Sequence, residues 1–241
     1  MMENKELQAK IDLWIEENKK QMIADAIELV KIRSVSIRGE GGYPYGTGCA
    51  KVLEAALAMA ERMGFEVENN DYYSGAAYMP GKTDRQLGMF GHLDIVPEGD
   101  LANWDFDPYE PVFKDGYILG RGSSDNKCPA VASLYTMKCI RDLGIPMDHT
   151  VLMYFGCEEE AGMSDIVHFL QHHEAPEFSF TSDGRYSLCH GEKGILTAEL
   201  TTDVSGSSLV GLEGGQASNM VPDYAKAVIR GAVFELSLIH I

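Results

Sequence analysis

Val151-Leu152-Met153-Tyr154-Phe155 is an unbroken apolar run, and two residues later it is followed by Glu158-Glu159-Glu160. A run of that length suits a strand buried on both faces, the position of a central strand in an α/β sheet. The same arrangement recurs along the chain. Leu87-Gly88-Met89-Phe90 leads into His92-Leu93-Asp94, Tyr117-Ile118-Leu119 leads through a Gly-rich turn to Asp125, and Phe178-Ser179-Phe180-Thr181 leads to Asp183. Open α/β sheets bind ligands at the carboxyl ends of their strands. The pattern therefore predicts one crevice lined by a histidine and several carboxylates, which suits two divalent ions in a hydrolytic site.

Each element of that pattern also has an ordinary structural explanation. An Asp between a Gly-rich turn and a helix, as Asp125 is, can cap the helix. A run of charge such as 158–160 is usually a solvated face, and a strand-end Asp such as Asp183 is a common turn residue. His92 and Asp94 are two apart, so on a continuous strand they share a face, and an Asp there can hold the second nitrogen of a ligating imidazole. The four together carry more weight than any one. His149, His168, His172 and His173 are expected to have surface or core roles. Ser123 and Ser124 have no paired base at a recognisable spacing.

Composition excludes several classes of partner. A formal net charge of −17 argues against nucleic acid, which needs a basic face, and against adsorption to an anionic membrane. No segment reaches the ~18 apolar residues of a membrane span, and Met1 to Lys20 has no signal-peptide core. The five cysteines lack CxxC spacing and are expected to be reduced thiols of a cytoplasmic protein.

Helical periodicity covers 4–33, with an apolar stripe of Leu7, Ile11, Ile15, Met22, Ile23, Ala26, Ile27 and Val30, and again 47–63, 128–143 and 165–173. Strands are expected at 65–68, 87–96, 117–119, 151–157 and 178–181, with 97–116 as a long loop. This alternation predicts an α/β fold, a mixed and largely parallel sheet with helices on both faces. The texture changes beyond Gly194: 195–200 alternates, 205–215 is rich in Gly and Ser, and 223–230 suits a short helix or strand. A boundary is expected at 188–194.

Three segments, Gly91-His92-Leu93-Asp94-Ile95-Val96-Pro97, Gly120 to Lys127 and Cys157-Glu158-Glu159-Glu160, resemble the metal-site motifs of the ArgE/DapE/carboxypeptidase-type metallopeptidases. Trp104 to Pro111, His190-Gly191-Glu192-Lys193-Gly194 and Asn219-Met220-Val221-Pro222 look like the bacterial dipeptidase V-like branch. The resemblance covers about 5–234. It implies a zinc-exopeptidase-like fold with the start of an α+β lid, two zinc ions and a small peptide substrate. It also implies His92, Asp125, Glu160 and Asp183 as metal ligands, with Asp125 bridging, Asp94 as the residue orienting His92, Glu159 as general base, and a cis bond between Asp125 and Asn126. The implied reaction is hydrolysis of a dipeptide by metal-activated water. N-acyl amino acid deacylation on the same fold is the alternative, and a non-catalytic metal-binding fragment is a second; the 241-residue chain is expected to be an N-terminal fragment with negligible hydrolysis on its own. The sequence does not set the oligomeric state.

Two departures stand out. Cys128 occupies a position where the family usually has Gly, and Asn126 one where Asp is frequent. The chain also lacks the second half that the resemblance implies, including a final His ligand. We expect residues 1–190 to be the first segment of the catalytic domain and 191–234 the opening of the lid. The tail 235–241 is expected to be non-native: Leu236 to Ile241 matches one frame of a transposase sequencing adapter, and resemblance stops near Phe234. Independently prepared DNA encoding the same tail would overturn this.

Overall fold

The computed structural model describes residues 2–184, 189, 191, 193, 194, 196, 198–215, 221 and 225–231. His190, Glu192, Asn219, Met220, Pro222 and the tail 235–241, singled out above, lie outside the described residues. The chain forms two compact units, Met1–Arg185 and Tyr186–Ile241.

In the first unit the order is α1 (Met2–Val30), α2 (Gly46–Arg62), β1 (Glu66–Asn70), β2 (Ser74–Met79), β3 (Thr83–His92), β4 (Val112–Lys114), β5 (Tyr117–Leu119), α3 (Cys128–Asp142), β6 (His149–Gly156), α4 (Ser164–His172) and β7 (Phe178–Thr181). Five strands make a mixed sheet in the order β1-β2-β6-β3-β7. β1 and β6 run antiparallel to β2, whereas β3 runs parallel to both β6 and β7. The apolar run is thus the middle strand, and Val151 to Gly156 is buried throughout.

One face of the sheet packs against α1, α2 and α3 through Leu29, Leu53, Leu57, Leu134, Val151, Met153 and Phe155. The other packs against α4, where Phe169 meets Ala76, Leu152 and Tyr154. The stripe on α1 follows the sequence expectation in part. Ala26 and Val30 are buried and Ile11 and Met22 pack against the core, while Leu7 and Ile15 are exposed and Trp14 and Leu29 are buried instead. Trp14 gains a partner there, its indole donating to Asp142 over 3.2 Å.

Three strands depart from expectation. β2 is not expected from sequence, because Ser74-Gly75-Ala76-Ala77 has poor strand propensity. Packing makes it a strand, since a Cβ at Gly75 would lie 2.8 Å from Leu53 and 2.9 Å from Leu57 of α2. β4 lies inside the expected loop and pairs with β5 across Asp115-Gly116, both at positive φ, a dipeptide suited to such a turn. β3 starts four residues earlier than expected and ends at His92 rather than 96. Its partner β6 ends at Gly156, paired with His92, and the chain then leaves the ladder, with Ile95 N–H donating to Ser34 O over 3.2 Å.

In the second unit, β8 (Leu209–Gly214) and β9 (Ala225–Ile229) pair antiparallel. Thus 225–229 is strand rather than helix, and part of the Gly/Ser-rich stretch is strand. The alternation at 195–200 forms no strand among its described residues, and Leu196 and Leu200 are exposed. Among the described residues no helix is long and apolar enough to cross a membrane.

Candidate metal centre

The carboxyl ends of β3, β6 and β7 carry His92, Asp94, Glu159, Glu160 and Asp183 to one place. Asp125 joins them from the turn between β5 and α3, β5 being a strand of the separate β4–β5 hairpin rather than of the main sheet. His92 closes β3 and is buried, only 3% exposed. Its Nε2 lies 2.9 Å from Asp125 Oδ1, 3.3 Å from Asp183 Oδ2 and 3.9 Å from Glu159 Oε2. Its Nδ1 is engaged on the other side, 3.0 Å from the carbonyl of Asp94 and 3.3 Å from Asp94 Oδ1. Only Nε2 therefore faces the cluster.

Asp94 lies just past the strand, so the shared-face argument does not place it; the bend after His92 does. It is fully buried and accepts the N–H of Glu159 on one oxygen and that of Glu160 on the other, both at 3.1 Å. One carboxylate thus ties the β3 end to the turn after β6.

Asp125 sits in a turn opened by Gly122 at φ 79, and its peptide bond to Asn126 is cis. It caps no helix with its side chain. Asn126 is fully buried, and its Oδ1 accepts the His92 N–H over 3.3 Å. Gly91 permits this approach, because a Cβ there would lie 2.9 Å from that same oxygen. Glu159 and Glu160 begin a short 3-10 turn, and Asp183 follows β7.

All six residues singled out from sequence therefore come together. Ligand atoms of His92, Asp125 and Glu160, and likewise those of His92, Glu159 and Asp183, lie within 4.8 Å of one another. The electrostatics match a cation. Burial lowers the basicity of His92, yet the adjoining Asp125, Asp183 and Asp94 outweigh it and push the imidazole up to about 12. Burial and the nearby Asp125 raise Glu160 to about 7. Burial also raises Glu159, opposed by His92 and reinforced by Asp183, Asp94 and Asp125. Asp183 is lowered by its contact with His92. One imidazole and four carboxylates form a donor set that fits divalent ions.

Sequence reasoning missed the residues behind the site. Glu158 is fully buried, unlike its neighbours Glu159 and Glu160; a run of three acids gives no sign of which one turns inward. Asp165 accepts from Cys157 N over 2.8 Å and from Glu158 N over 3.2 Å. Lys127 is also fully buried, and burial lowers its ammonium to about 7. Cys128, the departure from the family pattern, is partly buried, which raises its thiol to about 11. All five cysteines are free.

The fold and this cluster define a metallopeptidase-like α/β unit. Residues 88–229 match the model of peptidase family M20/M25/M40, and the chain belongs to that family. It is 33% identical over 221 residues to the Bacillus subtilis (strain 168) protein named "Putative dipeptidase YtjP", covering 88% of this chain and 47% of that one. The chain spans about half the length of the curated relatives it matches. Human carnosine dipeptidase 1 shares the fold at a TM-score of 0.64 with 21% identity, over 74% of this chain and 41% of that one. Bacillus subtilis YXEP, described as a dinuclear metal-binding peptidase of the M20 family, matches at a TM-score of 0.50 with 15% identity, over 87% and 63% respectively.

Proposed function

We propose that this chain carries the metal centre of a zinc dipeptidase that hydrolyses small peptides, with Glu159 as general base. The observation behind the proposal is the convergence of Asp125, Glu159, Glu160 and Asp183 on one imidazole whose other nitrogen Asp94 already holds. The relatives named as dipeptidases support the substrate class. His92, Asp125 and Asp183 would hold one ion, and Asp125 and Glu160 the other. When bound, two such ions polarise a peptide carbonyl and lower the pKa of water.

The chain's own residues then have separate tasks. Glu159 takes the proton of the attacking water and passes it to the leaving amine. Its half-buried carboxyl, raised by burial and neighbouring acids, moves towards the range a base needs near neutral pH. Asp94 fixes the ring of His92 and the backbone of both glutamates. The second unit is assigned by the same reading to the opening of a lid.

The two ion positions are unequal. The first draws an imidazole and two carboxylates, the second two carboxylates among the described residues, fewer than the three or four protein ligands that zinc usually takes. Zinc titration by calorimetry should give one tight and one much weaker event. In a full-length protein that contains this segment, Glu159→Gln should abolish dipeptide turnover while leaving zinc stoichiometry unchanged. Hydrolysis of N-acyl amino acids without hydrolysis of dipeptides would overturn the substrate assignment. Loss of a zinc ion in Glu159→Gln would make Glu159 a ligand instead.

A further inference from the structure

The two acidic turns share a feature that the metal reading does not use. Each has one charged side chain directed back into the protein and completely buried, Lys127 next to the Asp125 turn and Glu158 next to Glu159 and Glu160. Both reach the same stretch of chain, the connection between α1 and α2. Lys127 Nζ donates to Ile32 O over 2.6 Å. Glu158 Oε1 accepts from Arg38 Nε over 2.5 Å.

That connection also grips the end of β3. Ser34 Oγ donates to Leu93 O over 2.6 Å, Ser34 O accepts from Ile95 N, and Val35 bridges Ile95 in parallel. Tyr45, at the far end of the connection, shares a 2.8 Å hydrogen bond with Ser164, whose N–H and hydroxyl both serve Glu158. Residues 32–45 therefore hold all three loops that present His92, Asp125 and Glu159-Glu160, although none of them belongs to the acidic cluster.

Burying a charge costs several kcal/mol unless its partners are well placed, and an apolar residue would fill either position without that cost. The charges make sense as fixing devices, since each permits one direction for its turn. Resting on the metal reading above, we propose that Lys127 and Glu158 are positioning residues that set the spacing of Asp125, Glu159 and Glu160 by anchoring both turns to the 32–45 connection. Residues behind a metal's own ligands typically change its affinity by about 10–100-fold.

The test compares Lys127→Met, Glu158→Gln and Arg38→Gln with the parent 241-residue chain. Arg38 is 66% exposed in its side chain, so its replacement leaves the core intact if either buried variant fails to fold. Zinc affinity is measured by calorimetry, and amide hydrogen exchange of the segment 157–163 is followed without metal. We expect zinc affinity to fall about 10–100-fold in Lys127→Met and Glu158→Gln and less in Arg38→Gln. Exchange at Glu159 and Glu160 should be faster in Glu158→Gln and Arg38→Gln. Parental zinc affinity in folded variants, with only the melting temperature lowered, would overturn the proposal and leave a structural role. Unchanged exchange at 159 and 160 would overturn it for Glu158 without metal being involved. A parent chain that takes up no zinc would instead remove the metal reading, and the positioning role with it.

Discussion

The two ends of the same strands handle charge in opposite ways. At the amino ends of β3, β6 and β7, charges meet in opposite-sign pairs open to water: Lys82 with Asp148 at 2.8 Å and Arg85 with Glu177. At the carboxyl ends, Asp125, Glu159 and Asp183 crowd one imidazole, and the nearby cations Lys127 and Arg38 are committed elsewhere. Exposed pairs contribute about 0–1 kcal/mol each and complete themselves. A half-buried acidic cluster does not, and a divalent cation from solution is the simplest way to complete it. The contrast separates charge used for solubility from charge held in reserve for a ligand.

The comparison can be broken most sharply at Asp125, the carboxylate nearest His92. Asp125→Asn should lower zinc affinity at the tighter position by more than about 100-fold, beyond what outer partners give. An unchanged isotherm would mean that the cluster is only a polar surface. Proton competition gives the next effect. Metal binds the deprotonated forms, and both His92 and Glu160 are raised in the metal-free chain. Protons therefore compete more strongly as the pH falls. Between pH 8 and pH 6 Glu160, at about 7, alone predicts a loss of about tenfold in affinity at its position. Calorimetry in buffers of different ionisation enthalpy should show proton release, and its absence would contradict the shifts. The smallest effect belongs to the other end. Arg85→Ala should leave the urea midpoint nearly unmoved, as expected of a solvated pair, and zinc affinity unaltered. A loss of affinity there would show that the two ends are coupled.

How far the sequence reveals this depends on what each residue signals. The middle strand is legible because apolar run and burial coincide, and five residues of the cluster are legible because strand ends converge in an α/β sheet; Asp125 reaches it from a turn after β5, which lies outside that sheet. β2 is hidden because its strand character comes from the close approach of α2 to Gly75, which no local pattern records. The β4–β5 hairpin is marked by Asp115-Gly116, a signal outweighed by the length of the surrounding loop. Asp94 lies beside His92 for a different geometric reason than a shared strand face, since β3 stops two residues before it. Glu158, Asp165 and Lys127 leave no trace because an inward turn by a charged side chain depends on partners that include ones up to 120 residues away.

Gly156 closes β6, and any Cβ placed on it would lie 2.7 Å from Asp165 Oδ2, 3.2 Å from the Tyr154 ring and 3.5 Å from His92 Cβ. That one hydrogen in place of a side chain links the fates of its neighbours. An alanine at 156 would have to displace Asp165 and crowd the Tyr154 ring, so substitutions at 156, 165 and 154 cannot add independently. In a mutational landscape of this protein the three positions would behave as a single locus, open to change together and nearly closed to change alone.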